Sequence, residues 1–219
     1  SFDVSVGEIF GILSCGGRLV IPRPGALGDV AYLTELLNSE GVTSMHMVPS
    51  LLGLVLSLPG VTQWKSLRRV PVGGEALPGP VADKFHATFD ASLHNFYGPT
   101  ETVINASRYK VRGIQGTRTV PIGTPKINTQ IHILDQTLRP VPVGVIGEIY
   151  IGGTHVARGY HRAAGLTAQR FIADPFSSDP AARLFRTGDQ ARWLASGEID
   201  AQEYEQRKAL LDRDAGSSG

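Results

Sequence analysis

The chain has 219 residues, enough for one or two units with apolar cores of their own. With 42% hydrophobic residues, 19% charged residues and a net charge of +1, it has an ordinary globular composition, and nothing in its charge points to nucleic acid or to an anionic membrane. The single cysteine, Cys15, excludes an internal disulfide and favours a reducing, cytoplasmic setting; the histidines lack zinc-ligand spacing, the N-terminal residues lack the basic start of a signal peptide, and the longest apolar run, Leu51 to Leu58, is too short for a bilayer.

Asp3 precedes an apolar run and suits a helix N-cap. Arg18–Pro22 (RLVIP) reads as a short strand. Asp29 caps an expected helix whose Val30, Leu33 and Leu37 share one face. Thr43–Val48 (TSMHMV) reads as the next strand, and Ser50 opens an apolar helix, LLGLVLSL. Arg69–Val72 is a third strand. Leu77, Val81, Phe85 and Phe89 recur at helical spacing, and Leu93–Tyr97 is a fourth strand. The four strands begin at 18, 43, 69 and 93, leaving room each time for one crossover helix, as in a parallel sheet. Ligands of such sheets bind at the carboxyl ends of the strands, where the loops GGEA and YGPTE fall.

The second half changes character. Over 119–153, alternating Val, Ile and Leu with frequent Gly and Pro predict short antiparallel strands and turns. The expected fold class is therefore α/β: a partial parallel sheet with flanking helices over 1–113, followed over 114–200 by a smaller β-rich subdomain, a distorted barrel. Residues 201–219 are polar and predict one exposed helix with a flexible Gly/Ser end.

The motif NFYGPTE at 95–101 sets a Tyr ring, a hydroxyl and a carboxylate beside a Gly-Pro turn. An aromatic face stacks on a base, a hydroxyl bonds a phosphate and a carboxylate holds Mg²⁺; the plainer reading is a strand-to-turn junction. In FRTGD at 185–189, the Asp189 carboxylate has oxygens enough to accept from both hydroxyls of a ribose. Taken alone, TGD reads first as a turn whose Asp bonds its own backbone.

Together with FDVSVGEIF (2–10), VGGEALPG (72–79), PIGTP (121–125), and GEIYIGGTHVARGY with LTAQRFIADPF (147–176), these motifs resemble the adenylate-forming superfamily and, within it, the adenylation domains of nonribosomal peptide synthetases. That resemblance implies a ligase that converts ATP and an amino acid to aminoacyl-AMP and pyrophosphate, with Mg²⁺. It implies an adenine stacked on Tyr97, with Asn95 and the Phe96 backbone at its amino edge and Gly73, Gly74 and Glu75 along the wall beside it. Gly98 of the same motif belongs to the nucleotide-binding residues, Thr100 contacts the α-phosphate and Glu101 ligates Mg²⁺, these two being the catalytic residues, and Asp189 holds the ribose. Asp3 binds the α-ammonium of the amino acid, an ion pair that separates amino acids from fatty acids. The side-chain pocket maps to Val4, Gly7, His46, Pro71, Gly73, Phe96, Ile104 and Asn105. Gly7 and Gly73 leave room there, and His46 and Asn105 are its polar members, which favours a polar substrate side chain over a large aromatic one. Without those neighbours, His46 reads as a satisfied core histidine.

The resemblance also implies partners in a parent synthetase: a peptidyl carrier domain whose phosphopantetheine thiol receives the aminoacyl group, and a condensation domain. It implies neither nucleic acid nor membrane. The family's Gly/Ser/Thr-rich phosphate loop, upstream of FDVS, and its small C-terminal domain with a catalytic lysine are not within these residues. This chain alone is therefore expected to be inactive or very slow. An acyl- or aryl-CoA synthetase of the same superfamily, and a non-catalytic nucleotide-binding remnant, are the alternative readings.

Overall fold

In the computed structural model residues 3–201 are described, so the tail expected over 201–219 lies, past Ala201, outside the described residues. The chain forms two compact units, one of residues 1–95 and 110–120, the other of residues 96–109 and 121–219.

The first unit opens with α1 (Val4–Ser14), which has Asp3 at its N-cap position and no side-chain cap hydrogen bond. No residue of α1 is buried, and Val6, Phe10 and Leu13 are each more than half exposed. In α2 (Val30–Ser39) the expected cap is present: Asp29 Oδ1 accepts from the Tyr32 N–H at 3.1 Å, and Leu33 and Leu37 are buried. Pro49, not Ser50, starts α3 (Pro49–Val55), because its fixed φ and missing N–H suit the first helical turn. Ser50 serves instead as a donor, from its N–H and its hydroxyl, to the two carboxylate oxygens of Glu75, each at 3.0 Å. Next come β1 (Arg69–Gly73), α4 (Gly79–Thr88) and β2 (Ser92–Tyr97), the last with strict alternation of half-buried and buried residues. Leu52, Trp64, Val70, Val72, Leu77, Phe85 and Leu93 form the interior, with Trp64 edge-on to Phe89 at 5.9 Å.

Two expected strands are not strands. Arg18–Pro22 has no ladder: Pro22 and Pro24 lack donors, and Ile21 is exposed. Thr43–Val48 makes only isolated parallel bridges, Ser44 to Arg69 and Met47 to Val72. The parallel relation expected there survives as these bridges.

A four-stranded sheet, with β3 (Ser107–Lys110) and β4 (Thr124–Pro125), has the order β1-β2-β3-β4. In the second unit β3 pairs antiparallel with β4. The main sheet there is antiparallel: β5 (Thr129–Leu134), β6 (Gly147–Gly153), β7 (Phe171–Ala173), β8 (Arg183–Trp193) and β9 (Ile199–Ala201), in the order β5-β6-β8-β7 with β9 also on β8. The short helix α5 (Ala164–Arg170) leads into β7. Among the described residues the sheet is open, which corrects the barrel expected from the sequence. Closure needs long, staggered strands at both edges, and β7 has three residues. One face of this sheet carries the core of the unit: Ile131, Ile133, Ile149, Ile151 and Ile199 pack with Tyr97, Ala106 and Ile122. Each such side chain contributes about 1.5–3 kcal/mol by leaving water.

Candidate functional site

In the first unit the segment 46–47 runs beside β1. Met47 N–H donates to Pro71 O at 3.1 Å, and Gly73 N–H to Met47 O at 3.4 Å, which brings His46, Pro71 and Gly73 together. His46 is mostly buried, and its Nδ1 lies 3.6 Å from Glu8 Oε1 of α1, the helix that also carries Val4 and Gly7. Burial pushes the His46 imidazole below its usual range, with the Glu8 carboxylate opposing. Gly74 follows at φ +87°, a left-handed backbone that suits glycine. Glu75 is held by the first turn of α3, as described. Asn95, 2% exposed, donates from Nδ2 to Val120 O at 3.3 Å.

In the second unit β2 ends at Tyr97, which is 6% exposed and belongs to the core. The chain then turns at Gly98 and Pro99 into a 3-10 turn, Thr100–Thr102, with Thr100 exposed. Val103 and Ile104 follow at φ +55° and +71°. Left-handed backbone is rare for β-branched residues and marks stored strain. Asn105 N–H donates to Val103 O at 2.8 Å, and Ala106 N–H returns to Tyr97 O at 2.7 Å, closing the loop on the strand it left. The Tyr97 hydroxyl donates to Asp189 Oδ2 at 2.6 Å. Asp189 sits on β8, where its own N–H donates to Thr187 Oγ1 at 3.0 Å, while that hydroxyl donates to Ile149 O at 2.8 Å. Two motifs separated by 92 residues are thus hydrogen-bonded to each other.

Residues 1–161 match the family of AMP-binding enzymes. The chain belongs to that family. Phosphinothricin tripeptide synthetase PhsB of Streptomyces viridochromogenes is 46% identical over 201 residues, which are 91% of this chain and 17% of that protein. A crystal structure of the nonribosomal peptide synthetase FmoA3 superposes with a TM-score of 0.85 at 29% identity, over 96% of this chain and 23% of that one. NpsA-ThdA, an artificially fused adenylation-PCP di-domain from Klebsiella oxytoca, superposes with a TM-score of 0.81 at 28% identity, over 92% of this chain and 40% of that one. The chain therefore spans less than half the length of each of these three proteins.

Two side chains near the expected residues went unassigned in the sequence. Glu8 faces His46, and the Tyr160 hydroxyl donates to Glu101 Oε1 at 2.5 Å. Both lie inside recognisable motifs, so motif membership was the available signal. A polar cavity of about 600 Å³ in the second unit is lined by Glu148, Arg170, Arg186 and Gly188 among others. It holds none of the expected residues, and its Arg186 and Glu148 neutralise each other in a 2.9 Å ion pair.

Proposed function

We propose that this chain is the substrate-binding part of the core of an adenylation domain, which activates an amino acid with ATP for nonribosomal peptide synthesis. The observation that carries the reading is the 2.6 Å hydrogen bond from Tyr97 to Asp189. It ties an aromatic ring suited to adenine to a carboxylate suited to ribose hydroxyls, and it presents the carboxylate in one orientation. In this reading Asn95, the Phe96 backbone, Gly73, Gly74 and Glu75 line the nucleotide, the turn at Gly98 sets Thr100, and Thr100 bonds the α-phosphate.

Glu101 suits Mg²⁺. That ion usually binds through one or two carboxylates plus substrate phosphates rather than in an all-protein cage, and among the described residues no cluster of three or more His, Cys, Asp or Glu forms such a cage. Mg²⁺ held there supplies charge neutralisation at the phosphates. In the reaction a carboxylate oxygen of the amino acid bonds to the α-phosphorus while the bond to pyrophosphate breaks. Two anions must approach, so groups that neutralise them carry several kcal/mol of the barrier.

Asp3, at the N-cap position of α1, pairs with the α-ammonium in this reading. Val4, Gly7, Pro71, Gly73, Phe96 and Ile104 shape the side-chain pocket, and His46 and Asn105 favour a polar substrate. The activated aminoacyl group would pass to phosphopantetheine on a peptidyl carrier domain beside a condensation domain. No described helix is long and apolar enough to cross a membrane, and the free Cys15 fits the cytoplasm.

The test is a thermal-shift panel of non-hydrolysable aminoacyl-adenylate analogues on this chain. A ligand at a hundredfold above its Kd adds about 2.7 kcal/mol to stability. A shift with one analogue, lost in Asp3→Ala and in Asp189→Ala and altered in preference by His46→Leu, supports the reading. Binding of aryl or acyl adenylates alone, indifferent to Asp3→Ala, transfers the chain to the CoA-ligase type. No shift with any analogue in a cooperatively melting chain refutes it.

A further inference from the structure

Glu101 is held from a second segment of its unit. Its side chain accepts at Oε1 from the Tyr160 hydroxyl at 2.5 Å, and its carbonyl accepts from the Ala157 N–H at 2.9 Å. The donor segment is itself anchored. Tyr160 N–H donates to Thr167 Oγ1 at 2.9 Å, and the Tyr160 ring meets Phe171 edge-on at 5.5 Å. Gly159 has φ +139° and sits so close to Thr167 that a Cβ would lie 2.4 Å from its methyl group. Arg183 donates to Arg158 O at 2.8 Å and to Ala157 O at 2.9 Å.

We propose that Tyr160 is a positioning residue for Glu101: its hydroxyl occupies Oε1, fixes the plane of the carboxylate and leaves Oε2 to the divalent cation that arrives with the nucleotide. This rests on the reading of Glu101 as the metal carboxylate. A carboxylate on a rotatable side chain samples many orientations, and a short phenol-to-carboxylate hydrogen bond is of the strong, charge-assisted kind. Tyr160 is rigid because its backbone and ring are each held separately, so it transmits a fixed geometry. Outer partners of this kind change metal affinity by about 10–100-fold.

The experiment titrates Mn²⁺ into the 219-residue chain with a non-hydrolysable ATP analogue, reading bound Mn²⁺ by water-proton relaxation. AMP affinity without metal and the melting temperature are measured alongside. Tyr160→Phe keeps the ring on Phe171 and removes only the hydroxyl. It is expected to weaken Mn²⁺ uptake about tenfold with AMP affinity unchanged, while Glu101→Gln abolishes uptake. Should Tyr160→Phe fail to melt cooperatively, Thr167→Val, which removes the acceptor of the Tyr160 N–H, is expected to weaken uptake several-fold. Unchanged uptake in the folded Tyr160 or Thr167 variant, with uptake lost in Glu101→Gln, overturns the positioning role and keeps Glu101 as the ligand. A wild-type chain that takes up no Mn²⁺, or a Glu101→Gln chain that binds as wild type does, overturns the Glu101 reading and this proposal with it.

Discussion

Gly98→Ala sets two effects of opposite sign against each other. Gly98 is not among the glycines with positive φ, so alanine meets no backbone strain there and stabilises by about 0.4–1 kcal/mol through a less flexible unfolded chain. Against this, its Cβ would lie 2.5 Å from Ala106 N, 2.6 Å from Asn105 Cα and 2.7 Å from Ile104 O. All three are backbone atoms, which do not swing aside as the end of a side chain does. Moving them disturbs the 2.7 Å hydrogen bond from Ala106 N–H to Tyr97 O. Overpacking costs roughly 1–3 kcal/mol, and a lost hydrogen bond costs about 1 kcal/mol more. The clash wins, with a net destabilisation of roughly 1–3 kcal/mol. For a chain of this length that lowers Tm by roughly 2–12 °C. Calorimetric melts of Gly98→Ala and Gly11→Ala check it. Gly11 lies within α1 with nothing inside 4 Å of its would-be Cβ, so alanine there is expected to stabilise by about 0.5–1 kcal/mol. If both variants melt higher than wild type, the close backbone contacts at Gly98 do not exist in the folded loop. Because the displaced backbone carries Ile104 and Asn105, Gly98→Ala should also weaken adenylate-analogue binding well below its melting temperature.

Asp29→Ala removes the cap of α2 and is expected to cost about 1 kcal/mol, read as a lower Tm in a chain with unchanged helical signal at low temperature. The pH dependence follows from three histidines. His46, His132 and His155 all have imidazoles held below the ordinary value of 6.5, burial being the first cause in each; Glu8 opposes it at His46 and Asp174 at His132, while Lys126 adds to it at His155. A lowered folded-state pKa means that the unfolded chain takes up protons first. Stability is therefore full above about 6.5 and is lost as pH falls from there towards the folded-state values. Melting at pH 7.5 and 5.5 tests this, and a Tm that rises on acidification contradicts it. Asp83 and Asp135, whose carboxyls are held below 3.8 mainly by backbone N–H donors, act in a separate, lower window: their contribution is lost only as pH falls beneath that value.

What the sequence disclosed is what local chemistry decides. The Asp29 cap, the spacing of Leu33 and Leu37, and the alternation of Ser92–Tyr97 are all decided within a few residues, and the structure has them. Arg18–Pro22 has the composition of a strand, but a strand exists only where another backbone accepts its donors, and no short window contains that partner. The barrel failed for the same reason, since closure depends on whether the two edges of a sheet reach each other. The candidate site divides along this line. FYGPTE and FRTGD were legible because each packs several functional groups into a few residues. Tyr160 was not, because its contribution is a single hydroxyl aimed at a residue 59 positions away. Its motif was visible, yet a motif names residues and leaves open which group each one touches. Pairings at such distances are set by how β2, β6, β8 and the loops between them stack, so the residues that orient a site are harder to read from sequence than those that fill it.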